Sequence, residues 1–354
     1  MLYQTENQHG GDVYGGGITL DFSANTNPLG TPPGVLEAVR RGLPQLHRYP
    51  DPYCRQLVQA IAAHEQVPAS YVLCGNGAAD LIYAYCAALR PRTAAEPAPT
   101  FAEYGLGLAQ VGCRVTPYYL HQAENFDLGE GFLPFLEAKK PDAVFLCTPN
   151  NPTGRLLPLP LLERILQCCA AWGARVFLDE CFLDLTEDGV SAKSLLTAHP
   201  ELLILKAFTK SYGMAGIRLG YCLCADSTLL RRMASASQPW NVSSLAQSAG
   251  VAALVEQDFL QRTRSLVHTE RRWLTDNLTA LGFWVCPSQA NFLLFHGPLG
   301  LREGLLRQGI AIRGCGNYSG LDNGWYRIAV RPHEENEALI TAIRQFCEEK
   351  SLWQ

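Results

Sequence analysis

Apolar runs and helical repeats alternate along the first two thirds of the chain. "YVLCG" at 71–75 is a short strand-like run, and a helical pattern follows it through "AADLIYAYCAAL". Ala143–Cys147, Arg175–Asp179, Leu202–Phe208 and Ile217–Cys224 are further strand-like runs. Short, continuously apolar runs are the mark of strands buried on both faces. Between two of them, Pro160–Trp172 puts Leu161, Leu162, Ile165, Leu166 and Cys169 on one helical face, with Gly173 as its stop. This alternation predicts an α/β fold, a mostly parallel sheet covered by helices on both faces. The Pro- and Ala-rich segment "RPRTAAEPAP" (90–99) reads as a loop.

From about residue 226 the texture changes. A long helix runs from Asp258, a candidate cap, to Leu281, with Gly282 as its stop. Short strands "NFLLFH" and "WYRIAV" follow, then an amphipathic last helix from Glu334 to about Lys350. The expected division is an N-terminal segment (1–40) packing with the small domain, a large domain (41–230) and a smaller α+β domain (231–354).

Composition narrows the function classes. The 354 residues are 47% hydrophobic, enough for a large core. The net charge of −4 comes without a basic run, which argues against nucleic acid as a partner. No apolar stretch has the ~18 residues of a membrane helix. The start, "MLYQTENQHGG", lacks the basic and apolar regions of a signal peptide. The thirteen cysteines form no C-x-x-C spacing and mostly sit in apolar runs. They read as small buried hydrophobes in a reducing cytoplasm, and no ligand spacing supports a metal site.

Polar residues collect where the strands end. In an open α/β sheet, ligands bind at the carboxyl ends of the strands. After Cys74 comes "GNGAAD", a glycine turn opening a helix, which is an anion site or simply a turn. After Cys147 comes "TPNNPTG", whose asparagines close turns or face a ligand. The next strand ends in Asp179, an acid that burial would leave costly unless paired. Lys210 follows the Leu202–Phe208 run, with Thr209 before it and Arg218 beyond. A Lys210–Asp179 salt bridge is one reading. The other is a lysine with a depressed pKa, activated by burial and the nearby cation. Together, and in this order, the set fits pyridoxal 5′-phosphate. The lysine forms the imine, the acid keeps the pyridine nitrogen protonated, and the asparagine bonds the ring oxygen. The helix end and Arg218 hold the phosphate.

"GNG", "PNNPTG", "LDE" and "TK…GIRLG" in that order resemble the fold-type I pyridoxal-phosphate enzymes of the aspartate aminotransferase superfamily, over about residues 9–345. The resemblance implies the fold: a large domain with a mostly parallel, helix-covered sheet, plus a smaller α+β domain. It makes Lys210 the lysine that carries the cofactor, Asp179 the partner of the ring nitrogen and Asn151 the partner of the ring oxygen. Backbone N–H groups around Gly77, Ala78 and Ala79, with Thr209 and Arg218, hold the phosphate. Phe101 stacks on the ring, and Tyr49 of "HRYPDP" reaches the neighbouring subunit's cofactor, which implies a homodimer.

Within the superfamily the wording is closer to the L-threonine-O-3-phosphate decarboxylases of cobalamin biosynthesis than to the histidinol-phosphate aminotransferases. "HGG", "LDFSANTNPLG" and "DECFLD" carry that likeness, with Phe182 where aminotransferases usually have a ring-contacting tyrosine. "IRGCGNYSGLDNGWYRIAVRPHEEN" carries it further. A phosphorylated amino-acid substrate is then implied. Arg327 binds its α-carboxylate, and Arg313, helped by His9 and Asn25, binds its phosphate. Arginine suits both anions because its fork matches their oxygens. The plain alternatives are a surface charge for Arg327 and a solvated arm residue for His9; Arg331 assists or is structural. Four positions depart from that pattern. Ala207, Ala78 and Ala79 lack hydroxyls that relatives often turn to the phosphate, and Cys181 replaces a usual alanine.

Overall fold

The computed structural model describes residues 9–350. Its strands are β1 (Leu20–Asp21), β2 (Val72–Gly75), β3 (Thr93–Ala98), β4 (Arg114–Tyr119), β5 (Ala143–Cys147), β6 (Arg175–Asp179), β7 (Leu202–Ala207) and β8 (Gly220–Cys224). The remainder are β9 (Trp284–Val285), β10 (Phe292–His296), β11 (Ile310–Ala311), β12 (Arg313–Gly314) and β13 (Trp325–Ala329). A seven-stranded sheet has the order β2-β8-β7-β6-β5-β3-β4, parallel except for β8, which is antiparallel to both neighbours. β5 and β8 are buried at every position, as their apolar wording requires, and so is β7, although it carries Lys206 within its run.

Helices appear close to where periodicity puts them, at Leu159–Ala170, Gln257–Ala280 and His333–Glu349. Asp258 lies in the first turn of its helix, not at the cap, which is Glu256. The expected loop at 90–99 is corrected: Thr93–Ala98 is an interior strand, between β5 and β4. Small alanines let it lie under helices on both faces. Its ladder to β5 covers only Ala94 and Ala95, so Pro97 sits beyond that ladder, where its missing N–H removes no bond to β5.

A four-stranded antiparallel sheet, β12-β13-β10-β9, carries a second core with Leu274, Leu339 and Phe346. β1 pairs in parallel with β11, and Phe22 packs in this second core, which ties the N-terminal segment to it. The expected boundary at 230 does not divide the two cores. Val242, Ala246, Ala249, Phe259 and Leu260 pack with the large-sheet cluster. Apolar spacing marks such a helix as buried without saying which sheet buries it.

Candidate active site

The carboxyl ends of β5, β6 and β7 open on a cavity of about 220 Å³. Asp179 ends β6 and is 5% exposed. Its Oδ2 accepts the Tyr104 hydroxyl at 2.7 Å and its Oδ1 the Cys181 backbone N–H at 2.8 Å. Both donors are neutral. Burial therefore raises the carboxyl pKa, against the opposing pull of these hydrogen bonds. A carboxylate left in this state calls for a cationic or N–H partner inside the cavity.

Lys210 sits in the single turn Phe208–Ser211 that follows β7, with its Nζ 5.6 Å from the centre of the Phe182 ring. Burial lowers its pKa to about 8, and Arg327 and Arg218 push in the same direction. Among the described residues its Nζ makes no ion pair with Asp179 within 4.0 Å, so the structure does not hold the salt bridge that the sequence left open. The amine is thereby poised to lose its proton near neutral pH.

The two asparagines of "TPNNPTG" divide their work. Asn150 closes the turn, donating to the Pro99 carbonyl at 2.9 Å and accepting from Thr100 Oγ1 at 2.8 Å. Asn151 faces the cavity. At the other end, Gly77 (φ +83°) opens the helix Gly77–Leu89. A Cβ there would lie 2.6 Å from Arg218 Nη2, so glycine is what lets the guanidinium settle against the helix start. Ala78, Ala79, Thr209 and Arg218 all line the cavity. First-turn N–H groups lack intrahelical partners, and with a guanidinium beside them they make an anion cradle. Asp80 points elsewhere, accepting from Asn76 N and Asn241 Nδ2.

On the opposite wall, Arg313 and Arg327 are directly paired across the antiparallel strands β12 and β13. Arg327 is 6% exposed; its Nη2 donates to the Ser23 carbonyl at 2.9 Å and its Nη1 to Asn151 Oδ1 at 2.5 Å. It is no surface charge. Its Nε, and both amide atoms of the buried Asn25, have no hydrogen-bond partner among the described residues. Buried polar atoms are rarely left so, and these face a cavity that a polar ligand would fill. Arg331 is structural, bonded to Glu335 at 2.8 Å.

His9 lines the cavity, and its Nε2 lies 2.7 Å from Glu103 Oε1. That bond holds the Glu103 carboxyl below its ordinary range. Tyr49 does not join the cavity. It is 81% exposed, with its ring 4.7 Å from that of Trp240. Phe101 and Phe182 line the cavity, as do four groups not anticipated from sequence: Ser23, Tyr104, Cys147 and Tyr318. Tyr104 and Glu103 stand next to Phe101 in "PTFAEYG", the only local signal for either.

The residues fit pyridoxal 5′-phosphate. They offer an anion cradle at one end, a buried acid with no cationic partner among the described residues, an asparagine in the same cavity and an amine with a depressed pKa. The model of the aminotransferase class I and II family matches residues 18–343. The chain belongs to this family. A threonine-phosphate decarboxylase of Salmonella typhimurium is 40% identical over 331 residues, covering 92% of this chain and 90% of the relative. Among solved structures, a histidinol-phosphate aminotransferase from Clostridium acetobutylicum aligns with TM-score 0.87 at 27% identity, over 93% of this chain and 99% of its own. The L-threonine-O-3-phosphate decarboxylase of Porphyromonas gingivalis aligns with TM-score 0.83 at 25% identity, over the same shares. Within the family, then, backbone shape does not separate the two activities; side chains must.

Proposed function

We propose that the chain is a pyridoxal-phosphate-dependent decarboxylase that converts L-threonine O-3-phosphate to (R)-1-amino-2-propanol O-2-phosphate, the cobalamin linker precursor. The observation that carries this reading is the cross-strand pair Arg313 and Arg327, with the unsatisfied Asn25 on the same cavity. Two guanidinium groups on one cavity wall suit a small substrate bearing two anionic groups. The 40% identity to a threonine-phosphate decarboxylase supports it.

Lys210 carries the cofactor, Asp179 bonds its ring nitrogen and Asn151 its ring oxygen. Phe101 would stack on the ring, and Phe182 would lie near the ring oxygen where aminotransferases usually have a tyrosine. Backbone N–H groups at Gly77, Ala78 and Ala79, with Thr209 and Arg218, hold its phosphate. Bound pyridoxal phosphate supplies an electron sink for the pair released when a bond to Cα breaks. Arg327 holds the substrate carboxylate; Arg313, His9 and Asn25 hold its phosphate. Two-point anchoring fixes rotation of the substrate, so binding energy remote from the reacting bond selects which bond at Cα is broken. Carbon dioxide leaves without the bonding pair, and the ammonium form of Lys210 would supply from Nζ the proton that takes its place at Cα.

The reading extends to a cytoplasmic homodimer in which Tyr49 serves the neighbouring site. All thirteen cysteines being free thiols and the exposed Tyr49–Trp240 pair support these two points. The test offers the holoenzyme threonine phosphate, serine phosphate and histidinol phosphate with 2-oxoglutarate. Release of CO₂ from threonine phosphate is the expected result. Consumption of 2-oxoglutarate with histidinol phosphate, which the similarity to that aminotransferase favours, would overturn it.

A further inference from the structure

Like charges directly opposite each other on antiparallel strands destabilise a sheet. Arg313 and Arg327 are such a pair, and Tyr318 links them. The Arg313 guanidinium carbon lies 5.5 Å from the centre of the Tyr318 ring. At the other end of that ring, the hydroxyl is 3.5 Å from Asn151 Oδ1, the atom that accepts from Arg327 Nη1. The ring is 8% exposed and is backed by Leu120, Phe126, Leu294 and Trp325. Its backbone is pinned by hydrogen bonds to Cys315 and from Leu321. Each arginine is tethered as well, Arg313 Nη2 to Asn317 Oδ1 at 2.7 Å and Arg327 Nη2 to the Ser23 carbonyl at 2.9 Å. Two cationic anchors and a rigid plate thus form one unit on the cavity wall.

We infer that Tyr318 is a specificity-determining residue: it sets the separation of the two guanidinium anchors, and so the distance between anionic groups that the cavity accepts. The inference rests on the amino-acid phosphate reading of the site. A flexible spacer would let the anchors follow ligands of several lengths. A packed aromatic ring does not, because its two torsions are held by the side chains behind it and by its contacts to Arg313 and Asn151.

The test measures calorimetric binding of ω-phosphono α-amino acids to the holoenzyme, with one, two or three methylenes between Cα and phosphorus. The wild type should prefer one length and reject its neighbours by about tenfold, the usual discrimination for one methylene. Tyr318→Phe keeps the plate and should keep that order. Tyr318→Ala should flatten it, so that the neighbouring lengths bind within about twofold of the best, well below the usual discrimination. Tyr318→Leu, which retains apolar packing but no plate, carries the same expectation should the alanine variant not fold. An unchanged ratio in Tyr318→Ala or Tyr318→Leu overturns the inference, as does a wild type indifferent to length. A wild type that binds no member of the series instead overturns the substrate reading, and the inference with it.

Discussion

Lys206 and Lys210 are four residues apart, the first buried and the second partly so, yet they are tuned in opposite directions. Burial alone would lower the pKa of Lys206, but Asp184, Tyr221 and Glu65 outweigh it and hold it well above its ordinary value. Its Nζ is 2.9 Å from Asp184 Oδ1 and 3.0 Å from Glu65 Oε1. Lys210 is partly buried with no acid so placed among the described residues, near Arg327 and Arg218, and its pKa falls to about 8. The acids show the same contrast. Glu65 pays for its burial with Lys206, Tyr221 and Lys193 and is held at about 2, whereas Asp179 is left with neutral donors and shifts upward. Burial poses the same demand at both places. Beneath β7 the fold meets it, and at the end of β7 it leaves the demand open for a ligand.

Exchanging the roles of the two lysines is the strongest way to break this comparison. Lys210→Ala should cut CO₂ release by at least about 10³-fold, the scale of losing a catalytic proton-transfer group. The absorbance of the lysine-bound cofactor should vanish, while the apoprotein is at least as stable as before in denaturant unfolding at neutral pH, because a lysine with a lowered native pKa costs the folded state stability there. Lys206→Met should do the reverse. Leaving Glu65 and Asp184 uncompensated costs about 3–5 kcal/mol of stability, and Lys206→Arg should recover most of it. Equal losses of stability in the two variants would show that the lysines do one job.

Asp179→Asn sharpens the comparison on the acid side. Activity should fall by about 10²–10⁴-fold, because the amide cannot keep the ring nitrogen protonated. Stability of the apoprotein should not fall. The amide oxygen can still accept from Cys181 N–H, and the Tyr104 hydroxyl can turn to accept from the amide. A loss of stability as large as that of Lys206→Met would mean that Asp179 is a structural charge.

Asp179, Asn151 and Lys210 were legible because each ends or follows an apolar run, and strand ends share one edge in a parallel sheet; Arg218 was legible only through the wording "TK…GIRLG", since it precedes β8, which runs antiparallel and so starts at that same edge. Lys206 was hidden inside such a run. It is paid for by Glu65 and Asp184, far away in sequence or on another element. Tyr104 meets Asp179 across 75 positions, and no local pattern announces such a contact. Tyr318 was quoted within a motif, but its place between two arginines depends on the pairing of β12 with β13. β3 was missed because prolines and alanines make a poor strand locally; its neighbours on both sides make it one. What sequence resolves is the end of each element. What it does not resolve is which distant partner satisfies a buried charge.

The smallest effect is a pH dependence that separates the two lysines without touching activity. Lys210 titrates at about 8 in the native chain against an ordinary 10.5. Between these values the unfolded chain binds a proton that the native chain does not, so the native state gains stability as pH rises through the window. Lys206 has the opposite shift: its contribution is complete below 10.5 and is lost only as pH rises beyond it, toward the native value. Other groups also titrate there. Burial pushes the thiols of Cys86, Cys169 and Cys286 up to about 12, so they disfavour the native state as pH passes 9. The wild-type melting curve alone is therefore a mixture. Differences isolate each lysine. The Tm of the wild-type apoprotein relative to Lys210→Met should climb from pH 8 to pH 10, whereas the same difference for Lys206→Met should stay level. A level difference for Lys210 would make it an ordinary lysine, and the contrast between the two positions would be one of location alone.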